Sequence, residues 1–140
     1  MRYLAVLYPA IEGGYSVGFP DLPEALTQGD TQDEAVDMAA DALAITVEEY
    51  ANERRDLPTP STLEQVKAIA AKKMATAQGI DHNREPFFQL MEAPSVDMTP
   101  VRISVSFTRS VLESIDRKAR VAGMTRSGFL AAAAGAYEAE

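Results

Sequence analysis

The sequence predicts an α+β protein in two parts: a small antiparallel sheet crossed by a helix, then a short strand–helix–helix unit. Three observations predict it. Two strand-like segments flank a glycine turn near the start, and a capped amphipathic helix follows them. The charge also changes sign along the chain. Residues 1–100 hold seven Lys/Arg against seventeen Asp/Glu, whereas residues 101–140 hold six against four. Two of those four acids are Glu138 and Glu140, so residues 101–137 carry six basic and two acidic groups. Charge per segment says more about partners than the net value of −8.

The first strand is Arg2 to Tyr8, stopped near Pro9. The second is Tyr15 to Phe19, with Tyr15, Val17 and Phe19 alternating, and Glu12-Gly13-Gly14 supplies a hairpin turn between them. Pro20-Asp21-Leu22-Pro23 breaks the chain because proline fixes φ and donates no ladder hydrogen bond. A short third strand is expected over Ala25 to Gln28. Thr31 and Glu34 have capping-box spacing, and a helix over 31–53 carries Val36, Ala40, Leu43, Val47 and Tyr50 on one stripe. Asp56-Leu57-Pro58-Thr59-Pro60 ends it. Ser61 and Glu64 repeat the spacing ahead of a second helix, about 62–77, rich in Ala and Lys. Gly79 to Pro86 reads as a polar loop, Phe87 to Met91 as a fourth strand, and Ala93 to Pro100 as a linker between a domain over 1–95 and another over 99–140.

The second domain opens with Val101, Ile103, Val105 and Phe107 alternating with Arg102, Ser104 and Ser106. Thr108 caps a helix with Val111, Leu112, Ile115, Ala119 and Ala122 on one side, and Gly123 supplies the left-handed residue that ends it. Thr125 caps a last helix with Phe129, Leu130, Ala133 and Tyr137 inward. One strand and two short helices cannot enclose a core, and a lone strand leaves its backbone groups unpaired. Both problems are solved if two chains pair their strands antiparallel and interleave their helices. Val101, Ile103, Val105, Phe107, Leu112, Ile115, Phe129 and Leu130 then form the dimer core, with Ile103 facing inward. Arg102, Ser104 and Ser106 from each chain line the outer side of a two-stranded ribbon. Such a ribbon fits the DNA major groove, where arginine reads guanine and serine reads either base type. The free amides of the last helix, near Thr125, Arg126 and Ser127, suit a phosphate.

Residues 101–107, with Val111 to Asp116 and Ala122-Gly123-Met124-Thr125-Arg126-Ser127-Gly128-Phe129-Leu130, resemble a ribbon-helix-helix repressor domain. The front half resembles the HicB antitoxins through Gly14-Tyr15-Ser16-Val17, Phe19-Pro20-Asp21-Leu22-Pro23, Thr27-Gln28-Gly29-Asp30-Thr31 and Glu34-Ala35. The two resemblances cover nearly the whole chain. They imply a degenerate ribonuclease H-like front domain followed by a dimeric ribbon-helix-helix domain. They also imply a partner, a HicA-like mRNA interferase toxin that is small, basic and uses a histidine, and repression of the chain's own operon through double-stranded operator DNA. An acidic front suits a basic partner. Residues 61–85 are longer here than the family's usual segment before the fourth strand.

Other chemistry is weakly represented. The absence of cysteine excludes disulfides, thiolate metal sites and thiol catalysis, and fits a reducing cytoplasm. No stretch is long and apolar enough to span a membrane, and the N-terminal apolar run does not read as a signal peptide. Gly13-Gly14 is followed by no Gly-Lys-Ser/Thr, so it is not a phosphate loop. His82, the one histidine, has no visible partner ligands. Most of Asp21, Asp30, Asp33, Glu34, Asp37 and Asp41 are explained by turns, caps and an exposed helix face, with Asp33, Asp37 and Asp41 at i, i+4, i+8. No catalytic residue, metal or cofactor is therefore expected. Cytoplasmic location, at the nucleoid when bound to operator, and a homodimer or tetramer complete the expectation. The alternative is a stand-alone ribbon-helix-helix regulator whose front domain senses a ligand or oligomerises. A metal-dependent nuclease using the front carboxylates is a third, weaker reading.

Overall fold

A computed structural model describes residues 1–138, and the chain divides into two units, Met1–Thr99 and Pro100–Glu140. The last two residues of the second unit, Glu140 among them, lie outside the described ones.

The first unit is a four-stranded antiparallel sheet of order β3-β2-β1-β4, with β1 Arg2–Pro9, β2 Tyr15–Phe19, β3 Leu22–Gly29 and β4 Phe87–Glu92. Its helices are α1 Gln32–Asn52 and α2 Leu63–Thr76. Helix α1 buries Ala35, Ala39, Leu43, Val47 and Tyr50 against Tyr3, Ala5, Leu7, Val17, Phe19, Leu22 and Ala25. Helix α2 sets Val66 and Ala70 on the opposite face, with Val6, Tyr8 and Ile80. Strand β1 is therefore covered on both sides, and this explains why Ala5 to Tyr8 is a continuous apolar run instead of an alternation. The long 61–85 segment has a clear structural use: it supplies the second cover of the sheet.

The turn between β1 and β2 closes on Gly13 and Gly14, at φ 100° and 71°, with the Ala10 amide donating to the Gly14 carbonyl at 3.0 Å. Gly29 is needed for a different reason. A Cβ there would stand 2.5 Å from the Ala35 nitrogen and 2.6 Å from its Cα, so only glycine lets α1 begin this close to β3.

Several expectations shift by a residue or more. The third strand runs over Leu22–Gly29, longer than 25–28, and tolerates Pro23 because β3 is a sheet edge. On α1, Ala40 is exposed and the buried stripe runs through Ala35 and Ala39. Thr31 caps α1 by accepting from the Glu34 amide at 3.1 Å. The box at α2 belongs to Thr62 and Gln65, which exchange bonds of 2.9 and 3.2 Å, and not to Ser61 and Glu64. Ser61 is instead held through its amide and hydroxyl by the Asp21 carboxylate, which ties the β2–β3 turn to the start of α2. The polar loop after Gly79 also contains a buried Ile80, bridged to Ala10.

Three polar contacts lock this unit at its margins. The buried Tyr3 hydroxyl donates to the Pro58 carbonyl at 2.6 Å, and burial pushes its pKa up. The Tyr50 hydroxyl donates to Glu24 at 3.2 Å, and the Arg55 guanidinium lies 4.0 Å above the Tyr50 ring. Arg54 adopts φ 55°, the left-handed position that closes α1.

The second unit contains α3 Arg109–Val121 and α4 Arg126–Ala136, packed against each other. Residues 101–107 form no strand and pair with no strand among the described residues. Among the described residues of this unit only Ala119 is buried.

Candidate nucleic-acid interface

The second unit is built from helix signals that act locally. Thr108 caps α3 by accepting from the Val111 amide at 3.4 Å. The helix closes in a Schellman arrangement: Gly123, at φ 68°, donates to the Arg120 carbonyl at 3.1 Å, and the Met124 amide donates to Ala119 at 2.8 Å. Thr125 then caps α4 by accepting from the Gly128 amide at 3.1 Å. The turn between the helices is thus determined by three consecutive residues, Gly123 to Thr125.

Arg102, Ser104 and Ser106 lie exposed on the 101–107 segment, as do the apolar residues that alternate with them. Val101 is 81 % exposed, Ile103 75 % and Val105 61 %. Within one chain Ile103 therefore does not face inward, because among the described residues no strand pairs with its segment and no second helix pair covers it. Leu112, Ile115, Phe129 and Leu130 are half-buried between α3 and α4. Val111, Ala122, Ala133 and Tyr137, expected to point inward, are exposed.

At the start of α4, the Arg126 and Ser127 amides belong to the helical positions without an intrahelical acceptor, and Thr125, Arg126 and Ser127 are all exposed. The Arg126 side chain is already engaged. Its Nε donates to Asp116 Oδ1 at 2.8 Å and its Nη2 to Oδ2 at 2.9 Å, a bidentate fork from α4 to α3. This hydrogen-bonded pair holds the Asp116 carboxyl below its ordinary range and raises Arg126. The sequence reading missed Asp116, since a ten-residue separation across a turn matches no helical spacing. Arg102, Arg109, Arg117, Lys118 and Arg120 make none of the ion pairs found among the described residues.

The front unit has a second distinctive surface. Asp33, Glu34, Asp37, Asp41, Glu48 and Glu49 all lie exposed on α1, which contains no Lys or Arg. Among the described residues no three His, Asp or Glu side chains converge on a possible metal position, and no helix is long and apolar enough to cross a membrane. The expected stripe Asp33, Asp37, Asp41 is an open helix face.

Comparison with known proteins places these features. The profile of a family described as HicB-like antitoxin of bacterial toxin-antitoxin system matches residues 3–134. Antitoxin HicB 1 of Photorhabdus laumondii is 52 % identical over 65 residues, which are 46 % of this chain and 42 % of that protein; the chain thus spans less than half the length of that curated relative. The crystal structure of the Burkholderia pseudomallei antitoxin HicB aligns over 96 % of this chain and 93 % of its own, with a TM-score of 0.70 and 30 % identity. A toxin–antitoxin complex from Streptococcus pneumoniae shares the fold, at TM-score 0.58 and 22 % identity, over 96 % of this chain and 97 % of its own.

Proposed function

The chain belongs to the HicB-like antitoxin family of bacterial toxin–antitoxin systems, and from that premise we propose that it neutralises a HicA-like mRNA interferase through residues 1–95 and represses its own operon through residues 99–140. It acts without enzymatic chemistry of its own, in the cytoplasm, and sits at the nucleoid when on its operator.

The observation that carries the DNA-binding half is the state of residues 101–107. Four large apolar side chains alternate with Arg102, Ser104 and Ser106, all exposed, on a segment that no strand among the described residues pairs. Antiparallel pairing with a second copy satisfies the backbone of both segments and turns Val101, Ile103, Val105 and Phe107 toward the combined helices, where Leu112, Ile115, Phe129 and Leu130 complete a core. The opposite side of that ribbon presents Arg102, Ser104 and Ser106 to base edges in the major groove. Thr125, Arg126 and Ser127 contact flanking phosphates, chiefly through the α4 amides, because the Asp116 fork occupies Nε and Nη2 of Arg126. The front half is supported by its own core and its acidic surface, which suits a basic toxin.

Co-expression with the adjacent gene, followed by copurification and a gel shift on the upstream DNA, tests both halves. The full chain should retain the toxin and shift the DNA. A chain ending before residue 99 should retain the toxin and lose the shift. Failure of both the full chain and the front unit to hold the neighbouring gene's product would remove the toxin-binding half.

A further inference from the structure

The two free edges of the sheet differ in what surrounds them. Strand β3 is terminal, so along its outer side no strand among the described residues pairs with it. Natural edges are usually blunted by lysine, proline or a bulge. Here Pro23 lies within β3 and the β2–β3 register shifts at Gly18/Phe19, but Ala25-Leu26-Thr27-Gln28 itself contains neither lysine nor proline and pairs regularly on its inner side. A groove lies between this edge and the outer side of α1. It is lined by Leu26, Thr27, Met38, Asp41, Ile45 and Glu49, among others. Ile45 is 59 % exposed and Met38 39 %, large apolar groups in an otherwise carboxylate-rich setting, while the Leu26 side chain turns to the other face of the sheet beside Gly18 and Lys73. Asp37 and Glu48 extend the negative rim, and α1 contributes no cation. At the other edge, β4 is also terminal and exposes Leu90, but there Lys67 of α2 stands 5.9 Å from the Phe88 ring, a cation where the α1 groove has none of its own.

An apolar floor with an anionic rim beside an open strand edge is complementary to a cationic polypeptide that adds a strand. It repels a phosphate backbone. We infer that the toxin docks here: an extended basic segment of it lies along Ala25 to Gln28, seats an apolar side chain between Met38 and Ile45, and sets its Lys or Arg side chains on Asp37, Asp41 and Glu49. The inference rests on the antitoxin reading above and names the face by which that reading operates.

The probe is the small basic protein encoded beside this gene, with its histidine replaced by alanine so that it can be produced. Its affinity for the full-length chain is measured by titration calorimetry at low and high salt. Binding of the parent chain should weaken as salt rises. Ile45→Arg should weaken it at least tenfold. Asp37→Lys/Asp41→Lys should weaken it and flatten the salt dependence. Leu90→Arg, on the opposite edge, should bind within twofold of the parent. Thermal melts and operator shifts on each variant check that the fold is kept. Parent-like affinity in both groove variants, or a loss confined to Leu90→Arg, would overturn the docking face while leaving the antitoxin reading intact. No binding by the parent chain would overturn both.

Discussion

Asp116 and Arg126 show how much one side-chain pair can change the meaning of a residue. Read along the sequence, Arg126 is a free cation at a helix start; in the fold its guanidinium braces α4 against α3. The pair is exposed, so its contribution to stability is modest. Its pH dependence has a definite sign. The Asp116 pKa is lowered in the folded chain, so the stabilisation is present above the ordinary carboxylate range and is lost as pH falls through and below it. An acid titration followed by circular dichroism should show the parent losing stability in that range more steeply than Asp116→Asn. Arg102 is a different case, exposed and in none of the ion pairs among the described residues. Arg102→Ala should weaken operator binding by about 1–3 kcal/mol and relax sequence preference, measured by competition between operator and random DNA. Unchanged discrimination would remove the base contact.

At the scale of elements, the strongest constraint is the start of α1 over the end of β3. Gly29→Ala must push the Ala35 backbone away, and overpacking of this kind costs about 1–3 kcal/mol or more. Urea unfolding should show the unfolding free energy falling by that amount and the midpoint shifting down with it, whereas Gly13→Ala, where a Cβ meets nothing within 4 Å, carries only the backbone strain of its positive φ. Helix α2 has the reciprocal Thr62–Gln65 cap, and Thr62→Ala should cost about 1 kcal/mol in the same assay. These elements were largely legible beforehand, since turn glycines, caps and helical stripes are written within a few neighbouring residues. The one-residue error at Ser61 arose because two hydroxyl residues stand side by side with an acid or an amide three positions on. Asp21, forty residues away, settles which one caps by binding the other.

For the whole molecule, the two units differ in self-sufficiency. The front unit encloses two apolar clusters, one on each face of its sheet. The back unit buries only Ala119 among its described residues. If its core is shared between two copies, its stability must depend on concentration. The melting transition of the back unit should rise with protein concentration while that of the front unit stays constant, as resolved by calorimetry over a hundredfold range. Ile103→Asp should abolish dimerisation in analytical ultracentrifugation and eliminate the operator shift, and should leave the front transition in place. A monomer that still shifts operator DNA would contradict the ribbon.

Local order in this protein was determined by the sequence alone: the strands and helices of the front, the Gly123-to-Thr125 turn, the change of charge and the alternation from Val101 to Phe107. Each is a matter of period, capping or composition over a short stretch, where steric and hydrogen-bonding preferences act between neighbours. The tertiary structure decided what is paired with what. It set α2 on the second face of β1, gave Arg126 to Asp116, bound Ser61 to Asp21, and opened an apolar groove between β3 and the acidic side of α1. Those outcomes depend on strand order and helix crossing, which bring together groups far apart along the chain, and no periodicity in the sequence records such distances.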